Sequence, residues 1–157
     1  MRTLDASFFQ NGKAGLKPQA FSTQEIERDS VAYVASLTAN ERDLCEVQWQ
    51  MYRKQNSDSA VGLRAFIVTF CLCDAENVRM FDSGSSDKRL TTEFINAMDA
   101  IAKMPSRLIS RAFNAASELN GFTESDVEDL EKNSEATANG CGNGAMPQQP
   151  VSAVASG

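Results

Sequence analysis

One segment constrains the fold more than any other. Between residues 59 and 73, Leu63, Phe66, Ile67, Phe70 and Cys71 recur at helical spacing, the i, i+3, i+4, i+7 signature of an apolar helix face. The opposite side carries Val61, Ala65, Val68 and Leu72 and is apolar too. A helix apolar nearly all round must be surrounded by other elements. The longest apolar run, residues 65–73, has core length and falls far short of the roughly 20 residues a membrane helix needs.

The flanking sequence supplies elements that can do the surrounding. Thr38 and Glu41 stand in capping-box spacing, which predicts a helix from there to about Lys54. Its apolar positions form two stripes: Leu44, Val47 and Met51, and Cys45, Trp49 and Tyr52. A polar break at 55–59 follows, where Ser57, Asp58 or Ser59 can cap the central helix over 59–73. Residues 74–86 read as a polar loop whose Val78, Met80 and Phe81 tuck back as a short extended piece. A third helix is predicted over 90–103, with Leu90, Phe94, Met98 and Ile101 on one face. Met104-Pro105 ends it, and Pro105 opens the first turn of a fourth helix. That helix carries Leu108, Ile109, Ala112, Phe113, Ala116 and Leu119 and closes at Asn120-Gly121. A short acidic helix over 124–132 buries only Val127 and Leu130.

The N-terminal part reads differently. Residues 1–18 show no period and form an arm, with Phe8 and Phe9 as its anchor. Residues 19–37 are rich in strand formers, and Glu27 to Ser30 can turn a hairpin. Alternation puts Val31, Tyr33 and Ala35 on its half-buried face. From Ser134 the composition shifts to Gly, Ala, Ser, Asn, Gln and Pro with almost no charge, the composition of a disordered tail. The expected fold is mainly α (α+β): a four- to five-helix bundle with an N-terminal β-hairpin, an arm over 1–18, a helical domain over 19–133 and a tail over 134–157.

Inventory argues against catalysis. The chain has no histidine, so the usual general base near neutral pH is missing. It contains no G-x-G-x-x-G, Walker A or G-x-S-x-G sequence. The glycines around Cys141 have no strand before them and no helix after them. Glu124, Asp126, Glu128, Asp129 and Glu131 fit a solvated helix face, and Asp74 to Asn77 lack the register and glycine of a calcium loop. Cys71 and Cys73 on one helix would point about 200° apart and could not share a metal. With Cys45 they read as buried small apolar residues. No catalytic, cofactor-binding or metal site is expected. The net charge of −6 disfavours nucleic acid and anionic membrane surfaces. The first ten residues lack the pattern of a signal peptide, and the reduced thiols suit the cytoplasm. What remains is protein binding. The wide apolar helix faces exceed what a small bundle needs and suit self-association or a helical partner. Trp49, Met51, Tyr52, Phe94 and Met98 are the candidate partner-binding residues.

Three stretches, taken in order, resemble one family. Leu37-Thr38-Ala39-Asn40-Glu41-Arg42-Asp43, following a strand, is similar to the L-T/S-x-x-E-R-D helix start of siphophage tail assembly chaperones, the lambda minor tail protein G-like group. Leu72-Cys73-Asp74 through Asn77-Val78-Arg79-Met80-Phe81-Asp82 resembles their L-C-D-x-x-G-x-R-L-F-x-D stretch. Leu119-Asn120-Gly121-Phe122, the acidic run after it and Glu131-Lys132-Asn133 resemble their closing segment. The family's loop glycine is Asn77 here, a residue that tolerates left-handed backbone, and the arm over 1–18 matches nothing. The resemblance spans residues 21–133. It implies a non-enzymatic phage protein of the host cytoplasm. Such a protein binds the tape measure protein, keeps it soluble, helps recruit major tail tube subunits and is missing from the mature virion. It also implies a longer product made by ribosomal frameshifting, for which the codons of Glu131, Lys132 and Asn133 can supply the slippery run. Two other readings fit the same composition: a structural tail completion or joining protein retained in the virion, and a small acidic regulator that binds a host protein.

Overall fold

The computed structural model describes residues 16–85 and 89–138. Among them are five helices and a three-stranded antiparallel sheet: β1 (Gln19–Ser22), β2 (Val31–Val34), α1 (Ala39–Gln55), α2 (Leu63–Cys71), β3 (Leu72–Cys73), α3 (Thr92–Ala102), α4 (Ser106–Asn120) and α5 (Glu124–Ala138). The architecture is mainly α with an N-terminal hairpin, as the sequence predicts.

Local chemistry sets most of the boundaries. Thr38 caps α1 reciprocally with Glu41: the Thr38 amide donates to Glu41 Oε2 at 2.9 Å, and the Glu41 amide donates to Thr38 Oγ1 at 3.3 Å. Arg53 and Lys54 in the last turn face the negative end of the helix dipole. Thr91 caps α3 by accepting from the Phe94 amide. Pro105 stands at the N-cap of α4, one place before the first turn. Gly121 ends α4 with φ 66°, a left-handed conformation that a Cβ would oppose. Thr123 and Asp126 cap α5 by the same reciprocal geometry. This helix runs past Lys132 to Ala138, so the composition break at Ser134 does not stop it. The remainder of the expected tail, and the expected Phe8-Phe9 anchor, lie outside the described residues.

The central helix is shorter than its periodicity suggests. α2 begins after Gly62, which makes no side-chain cap. Ser57, Asp58 and Ser59 do not cap it: Ser59 Oγ instead pairs with the Tyr52 hydroxyl at 2.6 Å and accepts from the Val61 amide. At the other end Leu72 and Cys73 leave the helix and pair with Val34 and Tyr33 as β3. The chain then turns on Asp74, whose Oδ1 accepts from the Glu76 and Val78 amides. Asn77 takes φ 66°, the left-handed conformation its residue type permits. The Met80 amide returns to the Leu72 carbonyl at 2.8 Å, so the backbone of 78–81 folds back as predicted, but the Val78 and Met80 side chains stay exposed and do not tuck in. Cys71 and Cys73 therefore lie in different elements, not on one helix. They and Cys45 are all buried.

The sheet presents the face opposite to the one expected. Phe21 opposes Ala32 and Leu72 opposes Val34, and this side meets the helices. Val31 is 57% exposed and Tyr33 half-buried; Ala35, just past the end of β2, is buried, and its amide donates to the Cys71 carbonyl at 2.7 Å. The core centres on α2, in which every residue from Ala65 to Cys71 is buried. The Phe66 ring meets Trp49 at 5.3 Å and Phe94 edge-on at 5.5 Å; Phe70 meets Phe94 edge-on at 6.4 Å. Thr69, the one polar residue in that run, donates to the Ala65 carbonyl at 2.7 Å and so carries no unmet donor into the core. Among the described residues, no helix is long and apolar enough to cross a membrane.

A candidate partner-binding groove

Four of the five side chains proposed from sequence to contact a partner are enclosed. Trp49 is 2% and Tyr52 5% exposed; Phe94 and Met98 are fully buried. Trp49 packs on Phe66, and its indole N–H donates to the Leu130 carbonyl at 3.4 Å. The Trp49 side of α1 is thus taken up by α2 and α5, while Val47 on its other apolar stripe stays 43% exposed. Met51 alone is half-buried, packed against the core.

The three family-like stretches meet at one corner, and their polar residues there brace the backbone. Asn77 Oδ1 accepts from the Ser36 amide at 2.9 Å and its Nδ2 donates to the Ser36 carbonyl. Asn120 Oδ1 accepts from the Leu37 amide at 2.7 Å and its Nδ2 donates to the Ala35 carbonyl at 2.9 Å. Two asparagines thereby satisfy the link between β2 and α1, where neither sheet nor helix can. Arg42 donates to the Asn120 and Gly121 carbonyls and to Asp126, and lies 4.6 Å from the centre of the Phe122 ring. Hydrogen bonds to Thr123, then the charge of Arg42, hold the Asp126 carboxyl below its ordinary range. Arg79 lies 4.3 Å from the centre of the Phe70 ring and 4.0 Å from Glu41.

The surface feature with binding chemistry lies elsewhere, at the hairpin end. A groove of about 180 Å³ opens between the sheet and the α3–α4 corner. Phe21, Ala32 and Leu72 form one wall. Leu108, Ile109 and Ala112 of α4 form the other. Val68, Ile101 and Thr23 complete the lining. The groove's surface is apolar throughout. On its rim Ile26 is 62%, Met80 52% and Met104 40% exposed. Arg111 fixes the hairpin loop over this region: it donates to the Ser22 carbonyl at 2.7 Å and to both Glu25 oxygens at 2.9 and 2.7 Å. That bidentate bond is the main reason the Glu25 carboxyl is held below its ordinary range. Ile26 is the residue beside it.

Sequence reasoning missed the groove. Ile26 and Met80 read as strand formers and Met104 as a helix end, and nothing local indicates that three distant segments meet. Larger hollows differ in character: one of about 360 Å³ between α4 and α5 is lined by Arg64, Glu124, Glu128 and Glu131 together with Phe113 and Phe122, and one of about 420 Å³ is lined mainly by the polar residues 55–59 with Tyr52, Ile95 and Asp99, both unlike the apolar groove. Burial pushes the Cys71 thiol up to about 12 and the Cys45 thiol well above its ordinary value, so both stay protonated and poorly nucleophilic. Among the described residues no group of three acidic, cysteine or histidine side chains is placed to hold a metal.

No family model, curated protein or solved structure matches this chain.

Proposed function

We propose that the chain is a non-enzymatic tail assembly chaperone of the siphophage type. In this reading it covers apolar helical stretches of a tape measure protein in the host cytoplasm, helps recruit major tail tube subunits, and leaves before the virion is complete. The observation that carries the reading is the open apolar groove with Ile26, Met80 and Met104 exposed around it. Three of the six large apolar residues exposed among the described residues line this one concave place, a grouping that favours a partner, and methionine side chains adapt to partners of varied shape. The order of the three family-like stretches supplies the identity of that partner. Their junction braces the scaffold, and binding falls to the groove.

The test is co-expression with the long helical protein encoded next to it. The soluble fraction of that protein should rise several-fold with this chain and fall back with Ile26→Asp/Met104→Asp. A soluble fraction that is unchanged by the wild-type chain overturns the reading. Mass spectrometry of purified particles separates it from a retained tail component, since a chaperone should be missing from them.

A further inference from the structure

The molecule carries a net charge of −6, so its general field repels acidic partners. The groove's flank on the α3–α4 side is different, whereas on the hairpin side the exposed Glu27 directly follows Ile26. Lys103 directly precedes Met104 on the rim, and Arg107 directly precedes Leu108 of the wall. Both are exposed, and among the described residues neither forms an ion pair. Other arginines are engaged internally: Arg42 with Asp126, Arg79 with Glu41, Arg111 with Glu25, and Arg53 with the Ser59 carbonyl. Arg107 lies close enough to Glu25 for its charge to act on that carboxylate, which places it on the side where the loop bearing Ile26 meets α4. The volume sets a second limit. An apolar cavity of about 150 Å³ accepts a benzene-sized group. At about 180 Å³ this groove suits one large apolar side chain and not a row of them.

We infer that the groove takes an acidic segment of a partner protein offering one large apolar anchor, with carboxylates beside the anchor set against Lys103 and Arg107. The inference rests on the groove being the partner-binding site. The anchor enters between Phe21 and Leu108, Met80 and Met104 close around its stem, and the two cations select for acidic neighbours. A basic segment would meet like charge at the same place. Such pairs set specificity more than affinity.

Two synthetic helix-forming peptides test this against the full-length chain. Each has a single central Phe in an Ala/Gln background; one carries Glu four residues before and after the Phe, the other Lys. In fluorescence-anisotropy titrations at low salt the Glu peptide should bind roughly three- to tenfold more tightly, the scale of two exposed charge contacts, and salt should narrow the gap. K103E/R107E should invert the preference. K103E alone, which leaves the Arg107–Glu25 neighbourhood intact, should shrink it. Met104→Ser should weaken both peptides. Equal affinity of the wild type for the two peptides, a preference unchanged by the reversals, or no binding of either peptide overturns the inference. If Met104→Ser still weakens both peptides in the first two of those cases, the groove stands as a binding site without charge selection. If Met104→Ser changes neither, the peptides sit elsewhere and both readings fall. A wild-type chain that sediments as a dimer, with Met104→Ser a monomer, would make a second copy the occupant and also overturn it.

Discussion

The centre of the molecule and the groove at its hairpin end use the same kinds of side chain, aromatic rings and methionines, to opposite effect. Around Phe66 the rings of Trp49, Phe70 and Phe94 interlock, and Met98 is fully enclosed. At the groove Phe21 is almost as buried, yet Met80 and Met104 remain about half exposed. What differs is the number of elements that arrive. α2 is contacted by α1, α3, α4 and α5, so its apolar surface is covered on every side. At the groove the hairpin, the end of α3 and the start of α4 form walls without a roof. Burial is thus a property of the topology more than of the residue type. The aromatic and methionine residues most suggestive of an interface by composition turn out to be those the fold covers first.

The largest expected effect is at the covered end. Phe66 is fully buried and touches four rings. Phe66→Ala removes those contacts and leaves a cavity that the surrounding helices can only partly close, a loss of ~3–5 kcal/mol. Urea unfolding followed by circular dichroism measures it. A loss below about 1.5 kcal/mol would mean that the ring stack is looser than the covered-centre comparison requires.

An intermediate effect belongs to the brace between the two regions. Asn120→Ala strips the Leu37 amide and the Ala35 carbonyl of their side-chain partners. Leaving such groups unmet costs ~1–3 kcal/mol, and the loss should appear as a lower urea midpoint with an unchanged slope. Wild-type-like stability would show that water replaces the amide freely and that this corner is open, as the groove is.

The brace also shows what could be read from the chain. Capping by Thr38 and Glu41 and closure by Gly121 depend on residues within a few positions of one another, so spacing alone predicts them. The centrality of α2 follows from apolar residues on all its sides. Asn120 was legible as part of a helix end but not as a clamp, because its bonds reach Leu37 and Ala35, 83 and 85 residues away. The same holds for the early end of α2. Leu72 and Cys73 fit the helical pattern as well as Phe70 does, and only their pairing with Val34 and Tyr33 draws them into the sheet. The inverted strand face has a related cause. Val31 and Tyr33 have strong strand preferences, whereas the small Ala32, which opposes Phe21 on the side that meets the helices, carries no such signal. The groove is the extreme case: no two of Ile26, Met80 and Met104 are near in sequence.

The smallest effect on stability is expected where the effect on binding is largest. Ile26 is 62% and Met104 40% exposed, so a large share of their surface is already in water in the folded state. Ile26→Ser and Met104→Ser should each change unfolding free energy by no more than ~0.5 kcal/mol, as surface substitutions commonly do. The two sites contact a common groove, so the double variant tests whether they act together. Urea unfolding of the single and double variants, beside anisotropy titration with the Phe-bearing Glu peptide, separates the two roles. If the double variant loses more than about 1.5 kcal/mol, the rim is covered in the folded chain and the contrast with the ring stack disappears. If stability holds and affinity falls several-fold, the apolar surface at this end is kept exposed at almost no cost to the fold, as a surface reserved for a partner should be.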